Sequence, residues 1–436
     1  MQNKVTKNNL SKFQLFAISG FFLFSFLFRN DLGNADCVGS PFCWGNLVFL
    51  IHRSLVVLLS GFLLWHEYNV WRQSREDKRL LLASTTLLVL FLFEVIIGYS
   101  FAILPQEGDF RGLHAITSIS ILLMSGYVYL IAQNTFEHET NYAQVDLRQR
   151  ISDVITLTKP VIVMLLLTTT IAGMFFAGKG MPDFQILIAT MLGGILAAGG
   201  SGAINQYLDA NLDKEMQRTA DRPIPAGRIY PAEVLAIGVA FCLISLYLFF
   251  IFVNPLSTLL TFFGMVYYVY IYSVLLKKAT TQNIVIGGGA GAFPAMIGWT
   301  AVTGSLDWPP IILFAIIFMW TPPHFWSLAI VRQKDYARAS VPMLPVVKGE
   351  EATRKAIFEY SIGLVLTTLL LPIFNYTGWI FLVGSSLLGI GFLWMAWRVE
   401  TTPGNKVAWQ MYKFSSYYLL LIFTILIVDS LYFIGY

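Results

Sequence analysis

The sequence predicts an all-α polytopic membrane protein. Apolar runs of the roughly 20 residues that a helix needs to cross a bilayer recur along the chain. Only 12% of the 436 residues are charged, about half of the roughly 25% usual in soluble domains. The Lys and Arg residues also crowd onto alternate connections between the runs, as membrane topology requires.

The runs lie near 13–30, 46–66, 80–104, 113–133, 160–177, 185–204, 232–253, 256–275, 284–303, 310–330, 356–376, 378–397 and 414–434. With the N-terminus inside, twenty-five of the 29 Lys and Arg fall on the inner side. Only Arg29, Arg53, Arg111 and Lys179 fall on the outer side. That bias fixes the orientation, and a bacterial cytoplasmic membrane is the simplest home. The first run is followed by "RNDLGNADC" rather than a small-residue cleavage site, so it reads as a span and not as a removed signal. Nothing in the pattern points to a nucleic-acid partner.

The first four runs form one block, residues 1–135. Cys37 and Cys43 flank "VGSPF" in its first outer loop, where an oxidising environment favours a local disulfide; two separate thiols are the alternative. Cys242 sits inside a later run as a small apolar filler. His52 and His114 stand near the outer ends of antiparallel runs, at matched depth. They are a candidate pair of axial ligands for haem. His66, at the opposite end, reads as a surface residue. Glu94 is an acid in mid-run, which marks a functional candidate by default.

The longest polar stretch between runs, "QNTFEHETNYAQVDLRQRISDVITLTKP" (133–160), separates this block from nine further runs. A linker at 136–158 and a second domain at 159–436 follow from it.

The densest charge in the chain is "NQYLDANLDKEMQRTADRPIPAGR" (205–228). Asn205, Asp209 and Asp213 recur every four residues, and each such step turns an α-helix by about 40° and rises about 6 Å. The three therefore share one face at the inner tip of a membrane helix. Paired carboxylates suit Mg²⁺, which binds one or two of them together with phosphate oxygens and water. Lys214, Arg218, Arg222 and Arg228 follow, residue types that clamp phosphate. Acids for a metal beside cations for an anion, at a membrane surface, imply a diphosphate carrying an apolar tail. The alternative is a loop whose acids and bases only neutralise one another.

NxxxDxxxD followed by "RTADRPIPAGR" resembles the first aspartate motif of the UbiA superfamily of intramembrane prenyltransferases. "MQRTADRPIPAGRI", "YSVLLKKATTQNIVIGGGAGAFPAMIGW" (272–299) and "WTPPHFWSLAIVRQKDYARASVPMLPVVKG" (320–349) narrow it to the protoheme IX farnesyltransferase, or haem O synthase, branch. The resemblance spans about 150–436. It implies a nine-helix bundle that moves farnesyl from farnesyl diphosphate to a vinyl group of haem B. It also implies that Asn205, Asp209 and Asp213 form the first metal–diphosphate motif, with Mg²⁺ on the two aspartates and Arg218 and Arg222 as cationic partners. Lys277 and Lys278 then reach diphosphate or a haem propionate, unless they are ordinary inner-side anchors. Asp335 occupies the place of the second aspartate motif, although Val331 and Ala339 stand where a second acid would give DxxxD. His324, in "TPPHFW", ligates haem iron, bonds a propionate or is simply packed. "MVYYVYIY" (265–272), Trp299, Trp320 and Trp326 offer ring faces to an allylic cation, or else belong to an interfacial belt. A quinone-type aromatic acceptor is the competing substrate class.

The first block resembles one four-helix half of haem A synthase in its paired cysteines, "IHR" and "LH". Only one half is present, so a second copy of this chain or a haem A synthase would supply the other. That family places a Glu three residues before its first His, and Phe49 stands there in this chain. The resemblance leaves open whether the block hydroxylates haem O or only binds and hands over haem.

Overall fold

The computed structural model describes residues 61, 63–72, 77–103, 117, 120, 121, 124, 125, 127, 128 and 146–432. Cys37, Cys43, Phe49, His52 and His114 lie outside the described residues. Among the described residues every regular element is helical, and nine helices from residue 160 onward are long and apolar enough to cross a membrane. The protein is a multi-pass membrane protein. Two compact units divide the chain, one of 1–143 with 229–240 and one of 144–228 with 241–436.

In the first unit, helix α1 (Lys78–Ile103) carries Glu94, which is buried. His66 is buried too, with both ring nitrogens enclosed, which corrects the surface placement read from sequence. The reason is helical spacing: Leu63, His66 and Val70 share a face, and Leu63 and Val70 pack into a cluster with Leu81, Leu87 and Phe91.

In the second unit the elements that position the site are α2 (Leu147–Leu157), α3 (Pro160–Gly178), α4 (Phe184–Leu208) and the short α5 (Ala210–Glu215). After α6 (Pro231–Phe252), whose residues from 241 on belong to this unit, comes α7 (Pro255–Val266), which continues as a π-helix, Tyr267–Leu276. Next are α8 (Asn283–Gly287), α9 (Phe293–Thr303), α10 (Trp308–Val331) and α11 (Gln333–Arg338). α12 (Leu344–Val347), α13 (Gly349–Ile373), α14 (Trp379–Thr401) and α15 (Asn405–Tyr432) complete the unit.

Close packing between α3 and α9 depends on small residues, as lipid-embedded helix contacts do. A Cβ on Gly298 would lie 2.0 Å from the Thr170 carbonyl oxygen, and one on Gly173 would lie 2.3 Å from that of Ala295. Buried acids in this unit are not all functional. Asp429 in α15 accepts from the backbone N–H of Gly378 (2.6 Å) and Phe381 (2.9 Å), satisfying orphan donors at the start of α14.

Candidate active site

The helix carrying the first motif is interrupted at Asp209, which links α4 to α5 with φ −88° and ψ 2°. The hydrogen-bond ladder runs through the junction: Asp209 N–H donates to Asn205 O (2.9 Å), and Asp213 N–H to Asp209 O (2.8 Å). The four-residue register therefore survives the break. All three side chains are buried, which polar groups tolerate only with partners.

Two of the partners come from a π-helix and the residue that caps it. Its hydrogen bonds close over five residues instead of four, as Lys277 N–H to Tyr272 O shows at 2.9 Å. In an α-helix, a residue five positions on is turned away by about 140°. Here the wider coil keeps Tyr268 with Ser273, and Tyr272 with Lys277, on common faces. Asn205 Nδ2 donates to Ser273 Oγ (3.0 Å) and to Asp209 Oδ2 (2.8 Å). Lys277 Nζ donates to the same Oδ2 at 2.5 Å. The Tyr268 and Tyr272 rings stack with centroids 5.9 Å apart, and a Cβ on Gly287 would lie 2.2 Å from Tyr272. Glycine there admits the ring.

Lys159 is the main residue that the sequence reading missed. It stands directly before Pro160, where it counted only as an inner-side cation. Its Nζ donates to Asn205 Oδ1 (2.7 Å) and to the Tyr268 hydroxyl (3.0 Å). Burial, reinforced by the charge of Arg222, pushes its ammonium down to about 7 against the pull of Asp209 and Asp213. Its backbone is in the left-handed region at φ 54°, an uncommon conformation outside glycine.

The remaining cations sort by partner. Arg222 Nη1 donates to Asp213 Oδ2 at 2.7 Å. Arg218 is exposed, yet its charge is felt at Lys159 and Tyr336. Burial raises the Tyr336 hydroxyl above its ordinary value, and Arg218 opposes that rise. Arg228 instead pairs with buried Asp153 (3.0 Å) and donates to Asp221 O (2.9 Å). Lys214 and Lys278 are exposed.

Asp335, in the first turn of α11, is buried with Arg332 and Arg338 at 3.8 and 3.9 Å. Among the described residues no three acidic, His or Cys side chains converge tightly enough to hold one ion. His324 is buried on α10, beside the helix-interior pair Pro322 and Pro323. Trp299 packs edge-on against Phe176, and Trp326 against Tyr360; Trp320 stacks on His324.

The UbiA prenyltransferase family matches residues 166–420. This chain belongs to the UbiA prenyltransferase family. It is 46% identical over 284 residues to the protoheme IX farnesyltransferase of Chloroflexus aurantiacus, covering 65% of this chain and 48% of that relative. It is 44% identical over 277 residues to that of Idiomarina loihiensis, covering 64% of this chain and 93% of the relative. The chain thus spans about half the length of some curated relatives it matches. Among solved structures, a digeranylgeranylglyceryl phosphate synthase superposes with TM-score 0.57 at 17% identity, covering 65% of this chain and 100% of the other. A UbiA homologue from Aeropyrum pernix K1 superposes with TM-score 0.50 at 17% identity, covering 61% and 97%. Both establish a UbiA-type fold.

Within this UbiA unit, the donor set fits a hard divalent cation. The hydrogen bonds and ion pairs given above for Asp209 and Asp213 all fall on Oδ2, which leaves Oδ1 of each for an ion. Two carboxylate oxygens are the number that Mg²⁺ takes from protein when phosphate oxygens and water complete its shell. Lys277 and Arg222 pair with these two carboxylates, and Lys159 with Asn205 beside them.

Proposed function

We propose that this chain is a protoheme IX farnesyltransferase that makes haem O from haem B, farnesyl diphosphate and water. The observation that carries the reading is the 44% identity that extends over 93% of the Idiomarina loihiensis protoheme IX farnesyltransferase. The buried carboxylates and their cations supply a matching chemical basis.

Asp209 and Asp213 would hold Mg²⁺, which supplies charge neutralisation to the departing diphosphate. Lys277 and Arg222 exchange their carboxylate partners for diphosphate oxygens as it binds, and Lys159 and Arg218 add to the positive field. Lys278 remains a candidate for a propionate at the membrane surface, and Asp335 for a second ion. Tyr268 and Tyr272 turn ring faces to the allylic carbon and exclude water from it. The vinyl carbon of haem bonds to C1 of the farnesyl group as its C–O bond breaks. Water then bonds to the neighbouring cationic carbon and releases a proton, leaving a hydroxyethylfarnesyl side chain. His324 contributes to binding the acceptor.

The inner-side excess of Lys and Arg supports a site on the cytoplasmic side of a bacterial cytoplasmic membrane. For the first block we propose haem binding through His52 and His114, with a Cys37–Cys43 bridge in the outer loop. Its product, if it hydroxylates, is haem A; if it hands haem over, the partner is a second copy or a haem A synthase.

The test incubates the purified full chain with haem B, farnesyl diphosphate and Mg²⁺ and looks for the mass of haem O. A parallel panel of hydroxylated aromatic acids addresses the quinone-type acceptor. Haem O from haem B alone supports the reading, whereas prenylation of the aromatic acids alone overturns it.

A further inference from the structure

His324 is more than nine-tenths buried, at 8% exposure, and its ring is held on several sides. Trp320 stacks on it at 4.3 Å, Tyr412 lies across it at 4.6 Å, and Phe325 meets it edge-on at 5.0 Å. One residue of α15 clasps both α10 side chains: Trp320 Nε1 donates to Ser415 O (2.8 Å), and His324 Nδ1 lies 2.8 Å from Ser415 Oγ. The Ser415 hydroxyl proton is already committed, because it donates to Tyr412 O at 2.8 Å. Oγ must therefore accept from His324, which puts the imidazole proton on Nδ1 and a free lone pair on Nε2.

No hydrogen bond to a described residue occupies Nε2. In contrast to His66, whose two ring nitrogens are sealed, Nε2 is not closed off. An imidazole with Nδ1–H hydrogen-bonded and Nε2 unengaged is the arrangement that metal-binding histidines adopt, because the bond at Nδ1 fixes the ring and raises its basicity. A route of contact leads from His324 to the proposed diphosphate pocket. Thr321, one turn earlier on α10, meets Gly288, and the adjacent Gly287 meets Tyr272.

We infer that His324 Nε2 is the axial ligand for the iron of the tetrapyrrole acceptor, with Ser415 as the positioning residue that sets its tautomer. This rests on the haem-acceptor reading above. Iron ligation at His324 anchors the macrocycle by its centre, so that a vinyl group at its rim reaches the farnesyl carbon while the ring lies against Trp320 and Tyr412.

The test uses the full chain with His52→Ala and His114→Ala, which removes the other candidate ligands, loaded with ferrous haem B. Resonance Raman spectroscopy should show an iron–histidine stretching band. Adding His324→Ala should abolish the band, and free imidazole should restore a ligated spectrum. Ser415→Val should keep the band but move it to lower frequency, since the Nδ1 proton loses its acceptor. A band unchanged by His324→Ala overturns the assignment, as does the absence of any band in the His52→Ala, His114→Ala chain. If His324→Ala does not fold, an unchanged band in Ser415→Val overturns it. Haem O formation by the wild-type chain, measured alongside, separates this outcome from failure of the haem-acceptor reading itself.

Discussion

Lys277 Nζ lies 2.5 Å from Asp209 Oδ2, across 68 residues of chain. The contact exists because the π-helix turns Lys277 onto the face of Tyr272. The lysine neutralises a buried carboxylate; under the proposed function, an ion held by Asp209 would free the same amine for a phosphate oxygen. Lys277→Met should therefore lower kcat/KM for farnesyl diphosphate by roughly 10²-fold, the scale of losing one charge-stabilising donor. Steady-state kinetics with saturating haem B check this, and an unchanged kcat/KM would remove Lys277 from the mechanism.

Arg222→Gln strands Asp213, which is 3% exposed against 20% for Arg222. Removing one partner of a fully buried pair costs about 3–5 kcal/mol, and the partial exposure of Arg222 reduces that. The loss should shrink when Mg²⁺ is added, because an ion bound to the native state stabilises it. Thermal unfolding with and without Mg²⁺ reads both effects. Equal destabilisation in the two conditions would argue against an ion on Asp213.

The ammonium of Lys159 titrates at about 7 in the free protein. Below that pH it is charged and attracts diphosphate; above it the amine is neutral and the attraction is lost. Affinity for a farnesyl thiodiphosphate analogue should therefore fall several-fold between pH about 6 and about 8.5. In Lys159→Met the affinity should be weak throughout and that step absent. Calorimetric titration at several pH values distinguishes the two profiles.

Gly298→Ala would drive a methyl group into the Thr170 carbonyl at 2.0 Å, while a Cβ on Gly291 meets nothing within 4 Å. Overpacking typically costs about 1–3 kcal/mol, and here backbone must move. Gly298→Ala should lower the unfolding midpoint clearly and Gly291→Ala should not. Equal midpoints would show that α3 and α9 are not in backbone contact.

The spans were legible because a long apolar run between charged turns has few alternatives in a bilayer. The run read at 160–177 is the helix Pro160–Gly178, bounded by Lys159 and Lys179. Helix starts in charged sequence were not legible. α13 begins at Gly349 rather than 356 because Glu350, Glu351 and Arg354 extend it beyond the apolar run. Asn205, Asp209 and Asp213 could be grouped by local spacing alone. Their partners could not, since Lys159, Ser273 and Lys277 arrive through long-range packing. Arg228 looked like a phosphate ligand by composition, but its partner Asp153 lies 75 positions earlier. The π-helix left no mark in the hydrophobic pattern, and Ser415 carries no motif that ties it to His324.

The central claim is that Asp209 and Asp213 together hold the divalent ion that receives the diphosphate. Electron paramagnetic resonance of Mn²⁺, titrated into the full chain with a farnesyl thiodiphosphate analogue, tests it most directly. The account predicts one tightly bound ion broadened by phosphorus, lost in both Asp209→Asn and Asp213→Asn. Undiminished binding in either variant would contradict it.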